Sequence, residues 1–144
     1  MAGKVLVATD GAERSARAIA VAVGIARAMN VPLIGCTATP PYGYYGLGDV
    51  KTDAENQFLA ATGAAAIERL AEIERAARAA GVRCTTVIKE QQHPHRAILQ
   101  AAQENDCSLI VMASHGRSEI ASLLLGSETQ KVLALADRPV LVVR

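Results

Sequence analysis

The chain has 144 residues, of which 51% are hydrophobic but only 3% aromatic, and its 15 Lys and Arg residues nearly balance 14 Asp and Glu residues. This length fits one domain, so we expect a single domain over residues 1–144 with an aliphatic core. The small net charge argues against nucleic acid as a partner. No apolar run reaches the length of a membrane span and the N-terminus lacks a signal-peptide core, so we expect a soluble, cytoplasmic protein without membrane contact.

Strands and helices are predicted to alternate along the chain. Short apolar runs predict five strands, at residues 4–10, 31–38, 82–90, 108–114 and 139–143. Helical periodicity predicts four helices, at residues 12–30, 52–81, 93–106 and 126–137. This order predicts an α/β fold with a doubly wound, five-stranded, mainly parallel sheet and helices on both faces. Ligands of such sheets bind beyond the carboxyl ends of the strands.

The cysteines and histidines do not suggest a metal site. Cys36, Cys84 and Cys107 are widely spaced among apolar neighbours and form no CxxC pair, so we interpret them as buried thiols. His93 and His95 flank a proline at a predicted helix start, but no third ligand stands at a useful spacing. We therefore predict no bound metal of this kind.

The glycine-rich segment before the last helix has the strongest functional pattern. The chain lacks both GxGxxG after its first strand and GxxxxGK[ST], which argues against dinucleotide oxidoreductases and P-loop hydrolases. Gly116 is instead followed, after nine residues, by Gly126 and Ser127 at a helix start, where amides and the helix dipole attract anions. This spacing suits phosphate. Ser127 and Gln130 equally fit a capping box, and Asp10 fits either a ribose ligand or a turn residue.

The chain resembles the universal stress protein family over its whole length, from VLVATDGAERSARAIAVAVGIA to LIVMASHGRSEIASLLLGSETQKVLALADRPVLVV. The family pattern is Gly, two residues, Gly, nine residues, then Gly and Ser or Thr. Gly116, Gly126 and Ser127 match its later positions. The resemblance implies a Rossmann-like fold of the adenine nucleotide alpha hydrolase kind. It also implies a stress-response protein that binds ATP, with Mg²⁺ held by the phosphates, and acts as a nucleotide-dependent regulatory module with slow hydrolysis at most.

The resemblance assigns nucleotide-binding residues but no catalytic ones. Asp10 is expected to contact the ribose or the base, and Thr37 to border the adenine. Arg117 could add a charge at the phosphates, and Ser127 a hydroxyl. The full predicted set is Ala8, Thr9, Asp10, Thr37, Met112, Ala113, His115, Gly116, Arg117, Gly126, Ser127 and Glu128.

Two segments are candidates for contacts with other molecules. The last strand is expected to be an edge strand, and the resemblance implies that it pairs with its twin in a homodimer. The residues of that strand are Val140, Leu141, Val142 and Val143. The tyrosines crowd into one loop and could cover a nucleotide, anchor a protein partner, or simply make the loop aromatic; they are Tyr42, Tyr44 and Tyr45. The sequence does not identify a regulatory partner.

Ala113 departs from the family pattern, which has glycine at that position. If the position required a positive φ, alanine would be strained by on the order of 1–2 kcal/mol, whereas a requirement for a small side chain would leave binding intact. Glu119 replaces a frequent glycine, and Glu128 brings negative charge to the helix start. The alternative function is therefore a nucleotide-free, dimeric interaction protein of the same family.

Two other classes fit the outline of the fold less well. ATP-cleaving enzymes of the pyrophosphatase or ligase kind carry an SGGxDS loop, and the first loop here, ATDGAERS, lacks its serine and paired glycines. A phosphoacceptor receiver domain would need an acidic cluster around Asp10 and a lysine ending its last strand. The sequence therefore favours neither class.

Overall fold

The computed structural model describes residues 3–42, 53–115 and 125–144. The strands are β1 (Lys4–Ala8), β2 (Leu33–Thr39), β3 (Cys84–Glu90), β4 (Cys107–Ala113) and β5 (Val140–Val143). The helices are α1 (Ser15–Met29), α2 (Asp53–Ala79), α3 (Pro94–Glu104) and α4 (Ser127–Leu135). None of these helices is both long enough and apolar enough to cross a membrane within the part of the chain that the structure describes.

Local sequence explains where the helices begin and end. The buried face of α1 repeats every three or four residues, at Ser15, Ala18, Ile19, Ala22, Val23 and Ala26. The helix ends at Asn30, which adopts the left-handed conformation (φ 54°, ψ 48°) and donates its N–H to carbonyls of the last turn. Helix α3 begins at Pro94, whose missing N–H costs nothing in a first turn. Gly81, at φ +71°, follows the end of α2.

The strands form one sheet in the order β3-β2-β1-β4-β5, and every neighbouring pair is parallel. The predicted doubly wound, five-stranded α/β fold is therefore confirmed. The chain leaves β1 to form β2 and β3 on one side, and β4 and β5 lie on the other. The strand order thus reverses at β1, which opens a crevice at the carboxyl ends of β1 and β4.

Two aliphatic layers cover the faces of the sheet. Residues of α1 and α2 pack on one face in a cluster with β1, β2 and β4. Residues of α3 and α4 pack on the other face, around Leu6 and Ile110. Helix α2 approaches the sheet closely at Gly35, where an added Cβ would lie 3.1 Å from Ile73 atoms. A side chain at that position would therefore push the helix outward.

The cysteine prediction is correct at two positions and wrong at the third. Cys36 and Cys107 are buried, and burial raises their pKa values to about 12 and about 11. Cys84 is only half-buried because it begins the edge strand β3. Its thiol is thus the most accessible of the three.

Candidate functional site

A cavity of about 450 Å³ opens at the carboxyl ends of β1, β2 and β4, where the strand order reverses. This volume lies within the usual range of small-molecule sites, roughly 300–1,000 Å³. Ten of the twelve predicted residues line the cavity: Ala8, Thr9, Asp10, Thr37, Met112, Ala113, His115, Gly126, Ser127 and Glu128. The other two, Gly116 and Arg117, lie outside the described residues, as do Glu119, Tyr44 and Tyr45.

The loop after β1 is held in place by its own side chains. The Asp10 carboxylate accepts hydrogen bonds from the Ala12 N–H (2.9 Å) and from the Ser15 hydroxyl (3.1 Å) in the first turn of α1. The Thr9 hydroxyl oxygen accepts the N–H of Gly11 at 3.1 Å. These are the short-range turn bonds that the sequence left open for Asp10. Asp10 nevertheless lines the cavity, so one residue both shapes the loop and faces the crevice.

Thr37 ties the second strand to this loop. Its buried hydroxyl donates to the Thr9 carbonyl oxygen at 2.8 Å, and the Thr9 N–H donates to the Cys36 carbonyl at 2.9 Å. The Thr37 hydroxyl proton is therefore already engaged. The methyl and backbone of Thr37 remain to form cavity wall.

The start of α4 lies against the end of β4. Gly126 precedes the first helical residue and donates its N–H to the Ser114 carbonyl at 2.8 Å. The Thr129 hydroxyl donates to the Ala113 carbonyl at 3.0 Å. The first backbone bond within the helix runs from Gln130 N–H to Gly126 oxygen, so the N–H groups of residues 127–129 precede it.

The capping-box prediction for Ser127 and Gln130 is wrong. The cap position belongs to Gly126, in extended backbone at φ −61° and ψ 155°, and Ser127 is the first residue of the helix. The Gln130 side-chain amide instead donates to the Leu125 carbonyl at 2.7 Å. The Gly126 N–H already has a partner in the Ser114 carbonyl, so the donors of this helix start that lie next along the chain are those of residues 127–129.

Ala113 ends β4 in strand backbone, paired with Val143 of β5. Among the described residues, the positive φ values of non-glycine residues belong to Asn30 and Asp106. Ala113 therefore carries no left-handed strain. Of the two requirements considered for this position, the structure is consistent with a small side chain and excludes a positive φ.

Glu128 is bound to the start of α3 across the cavity rim. Its Oε2 accepts the backbone N–H of His95 at 2.7 Å and lies 2.8 Å from His95 Nδ1. Burial alone would raise the pKa of Glu128, but the hydrogen bonds from His95 and Lys131 outweigh it and hold the pKa below its usual value. The negative charge of Glu128, which lines the cavity, is thus partly compensated by the first turn of α3.

The three histidines contact neighbouring side chains. His95 contacts Glu128, and its ring lies 5.7 Å from that of His93. His115 lines the cavity, and its Nδ1 lies 3.0 Å from the Ser114 hydroxyl. Its Nε2 is buried and has no hydrogen-bond partner among the described residues. A buried polar atom at a cavity wall fits a ligand that supplies the missing partner.

Sequence reasoning missed several lining residues from helices and neighbouring loops. They are Ser15, Cys36, Ala38, Arg69, Pro94, Ile98 and Thr129. Pro94 and Ile98 stand on α3, and Arg69 lies in the middle of the long helix α2. For Arg69 a signal exists in the sequence, because it stands three residues after Ala66 and four before Ile73, both on the buried face of α2.

A model of the universal stress protein family matches residues 1–144. The chain belongs to this family. It is 37% identical over 145 residues to the universal stress protein in the QAH/OAS sulfhydrylase 3′ region of Thermus aquaticus, with 97% of each chain covered. It is 31% identical over 149 residues to the universal stress protein YxiE of Bacillus subtilis, with both chains fully covered.

A solved structure of a universal stress protein in complex with cAMP superposes on this chain with a TM-score of 0.74 and 29% identity. The match covers 99% of this chain and 97% of the other. The family assignment and the fold thus agree.

Proposed function

We propose that this universal stress protein binds an adenine nucleotide in the cavity at the carboxyl ends of β1, β2 and β4. The observation that carries the proposal is the convergence on one cavity of ten residues that the family resemblance had assigned to a nucleotide. The expected ligand is ATP, with Mg²⁺ held by its phosphates. In this proposal the protein is a cytoplasmic regulatory module of the stress response, with slow hydrolysis at most.

The chemistry of the cavity walls suggests how a nucleotide is held. Thr9 and Asp10 stand beside the end of β1, where the ribose or base would lie. Helix α4 begins at the opposite wall, where its first N–H groups and dipole favour a phosphate. His115 Nε2, buried without a partner among the described residues, would gain one from the ligand. Ala113 and Met112 would form the floor.

Relatives support the class of ligand. The universal stress protein solved with cAMP is 29% identical to this chain and is aligned with it over 99% of its length. Cyclic AMP and ATP share the adenine, the ribose and a 5′-linked phosphate. The support therefore extends to an adenine nucleotide, and the choice of ATP rests on the family resemblance.

Isothermal titration calorimetry of the purified protein with ATP, AMP and cAMP, at millimolar MgCl₂, tests this proposal. We expect saturable binding that Gly126→Leu removes, because Gly126 lines the cavity and its backbone, at φ −61°, accepts a bulky residue without strain. Gly63→Leu is the matched control, since no atom lies within 4 Å of a Cβ at that position on α2.

The binding experiment also separates the two functions considered for the chain. If the wild-type protein binds no adenine nucleotide while its far-UV circular dichroism is that of a folded α/β protein, the nucleotide proposal is refuted. The nucleotide-free interaction protein then becomes the better account.

We also propose a homodimer formed through β5. This strand lies at one edge of the sheet, so one side of its backbone is not paired within the described chain. Leu141 on the strand and Leu135 near the end of α4 are exposed, which adds apolar surface beside that edge. A second copy pairing along Val140, Leu141, Val142 and Val143 would cover it. The regulatory partner is not identified by any of these features.

A further inference from the structure

Arg69 is a charged residue in the cavity wall to which the proposed function assigns no role. It is the one lysine or arginine among the described residues that line the cavity. The acidic lining residues, Asp10 and Glu128, accept hydrogen bonds from other protein groups. Among the described lining residues, Arg69 therefore carries the positive charge that could pair with a bound anion.

The fold holds Arg69 at the level of the carboxyl ends of the strands. A helix of 27 residues is about 40 Å long, whereas a strand of seven residues such as β2 spans about 23 Å. The buried residues of α2 all lie in its second half, beginning at Ala66, so the first half extends past the sheet. Arg69 stands one turn after Ala66, where the helix meets the edge of the crevice.

The side chain of Arg69 is fixed by contact with the loop after β1. At Gly11, an added Cβ would lie 3.0 Å from both Cγ and Nε of Arg69. Gly11 itself adopts φ +80°, a conformation that glycine supplies without strain. The arginine stem therefore crosses directly over the residue that follows Asp10, and the guanidinium is held beside the loop.

The guanidinium has no recorded counter-charge within the described residues. No hydrogen bond or ion pair joins the Arg69 side chain to any residue in the ranges 3–42, 53–115 and 125–144. The residue is half-buried. A partly buried guanidinium without a partner is costly unless an anion reaches it, and its planar fork of donors matches the oxygens of a phosphate.

An anion bound by Arg69 would lie at a different place in the cavity from a 5′-phosphate bound at the start of α4. Helix α2 packs on the face of the sheet that α1 covers, whereas α4 packs on the opposite face. A nucleotide with its 5′-phosphate at α4 would turn its ribose toward Asp10 and Gly11, beneath Arg69. The anion within reach of Arg69 would then be carried by the ribose.

Resting on the proposed nucleotide site, we infer that Arg69 recognises a second phosphate on the ligand, attached to the 2′ or 3′ oxygen of the ribose. Arginine beside a ribose is a known means of accepting such a phosphate in other nucleotide-binding folds. The ligand class is therefore an adenine nucleotide phosphorylated at both the 5′ position and a second ribose oxygen.

Calorimetry with 5′-AMP, adenosine 2′,5′-bisphosphate and adenosine 3′,5′-bisphosphate tests the inference. We expect one bisphosphate to bind the wild-type protein about tenfold more tightly than 5′-AMP, as one charge-assisted pair allows. Arg69→Gln should remove that advantage while changing the affinity for 5′-AMP by less than about twofold. Arg75→Gln, an exposed arginine on the same helix outside the cavity, should leave both affinities unchanged.

The outcomes of the experiment distinguish the role of Arg69 from the proposed binding of an adenine nucleotide. Binding of 5′-AMP without any gain from either second phosphate overturns the role of Arg69 and leaves the nucleotide site standing. An equal loss of 5′-AMP and bisphosphate affinity in Arg69→Gln also overturns it, because Arg69 would then be a general nucleotide contact. If no adenine nucleotide binds the folded wild-type protein, both proposals fail.

Discussion

Replacing Glu128 with alanine is expected to loosen the joint between α3 and α4 at the cavity rim. The carboxylate Oε2 accepts two hydrogen bonds from His95, at 2.7 Å from the backbone N–H and 2.8 Å from Nδ1. Since a carboxylate can only accept, the ring proton lies on Nδ1. The variant would leave both donors without this partner.

The expected loss of unfolding free energy in Glu128→Ala follows from the burial of the His95 and Glu128 side chains. A hydrogen bond to a charged group contributes roughly 1.5–3 kcal/mol, and a carboxylate at a helix start adds about 0.3–1 kcal/mol. The side chains of His95 and Glu128 are 10% and 30% exposed, so solvent competes for the carboxylate and lowers these values. We expect Glu128→Ala to lower the free energy of unfolding by about 2 kcal/mol, or roughly 4–8 °C in Tm for a chain of this size.

Urea unfolding followed by far-UV circular dichroism measures this difference. Lys131→Ala is the matched control, because Lys131 contacts only the other carboxylate oxygen, at 3.3 Å, in an exposed pair. Such pairs contribute roughly 0.2–0.5 kcal/mol. Glu128→Gln should fall between the two, since it keeps an acceptor oxygen but loses the charge.

The contribution of Glu128 to stability should decrease as the pH is lowered. The pKa of Glu128 in the folded protein lies below its ordinary value of 4.5, so its contribution is complete above that pH and is lost as the pH falls through the lower, folded value. The stability difference between wild type and Glu128→Ala should therefore be full at pH 7 and should diminish as the pH falls below 4.5. Equal stability of the two proteins at pH 7, or an undiminished difference at pH 3, would refute the reasoning.

Three further predictions concern the dimer edge, the thiols and the first loop. Val142→Lys places a charge on the edge strand β5 and should give monomers in multi-angle light scattering; an unchanged dimer mass contradicts the proposed interface. Cys84 should react with Ellman's reagent in the native protein at pH 8, whereas Cys36, buried with a pKa of about 12, should not. Comparable reaction rates for both thiols would contradict the burial of Cys36. Gly11→Ala should destabilise the protein by roughly 1–2 kcal/mol in urea, because Gly11 has φ +80° and a Cβ there meets Arg69; wild-type stability would contradict the loop geometry.

Much of the fold was predictable because each element has a local signal. Alternating apolar runs and helical periodicity identify five strands and four helices, and Pro94 and Gly81 mark helix ends through properties of their own backbones. The rule for parallel crossovers predicts a doubly wound sheet, but it does not determine the order β3-β2-β1-β4-β5, because other doubly wound orders obey the same rule. Cys84 shows the limit of this reasoning, since its burial depends on β3 being an edge strand, which its neighbours in sequence do not reveal.

The candidate site was predictable where one segment holds several of its residues, and unpredictable where distant segments meet. Thr9 and Asp10 follow β1 directly, so the end of the strand places them. The contact between Glu128 and His95 joins residues 33 positions apart. Each of them lies in the first turn of its own helix, where a local role explains it, so the sequence does not reveal that they meet. Arg69 reaches the cavity only because α2 is longer than the strands it covers.

Two of the three departures that favoured a nucleotide-free protein, Ala113 and Glu128, have local structural explanations, and the third, Glu119, lies outside the described residues. Ala113 lies in strand backbone without positive φ, so its methyl group costs no strain and needs only room beside the ligand. Glu128 directs one oxygen at the first turn of α3, so its negative charge is partly compensated before a phosphate arrives. Neither residue therefore gives a physical reason for loss of the ligand. Arg69 in the opposite wall forms no ion pair within the described residues, and it adds a reason to expect an anion because a half-buried, unpaired charge is costly. The calorimetric comparison of mono- and bisphosphates measures whether the charge of Arg69 meets a phosphate on the ribose.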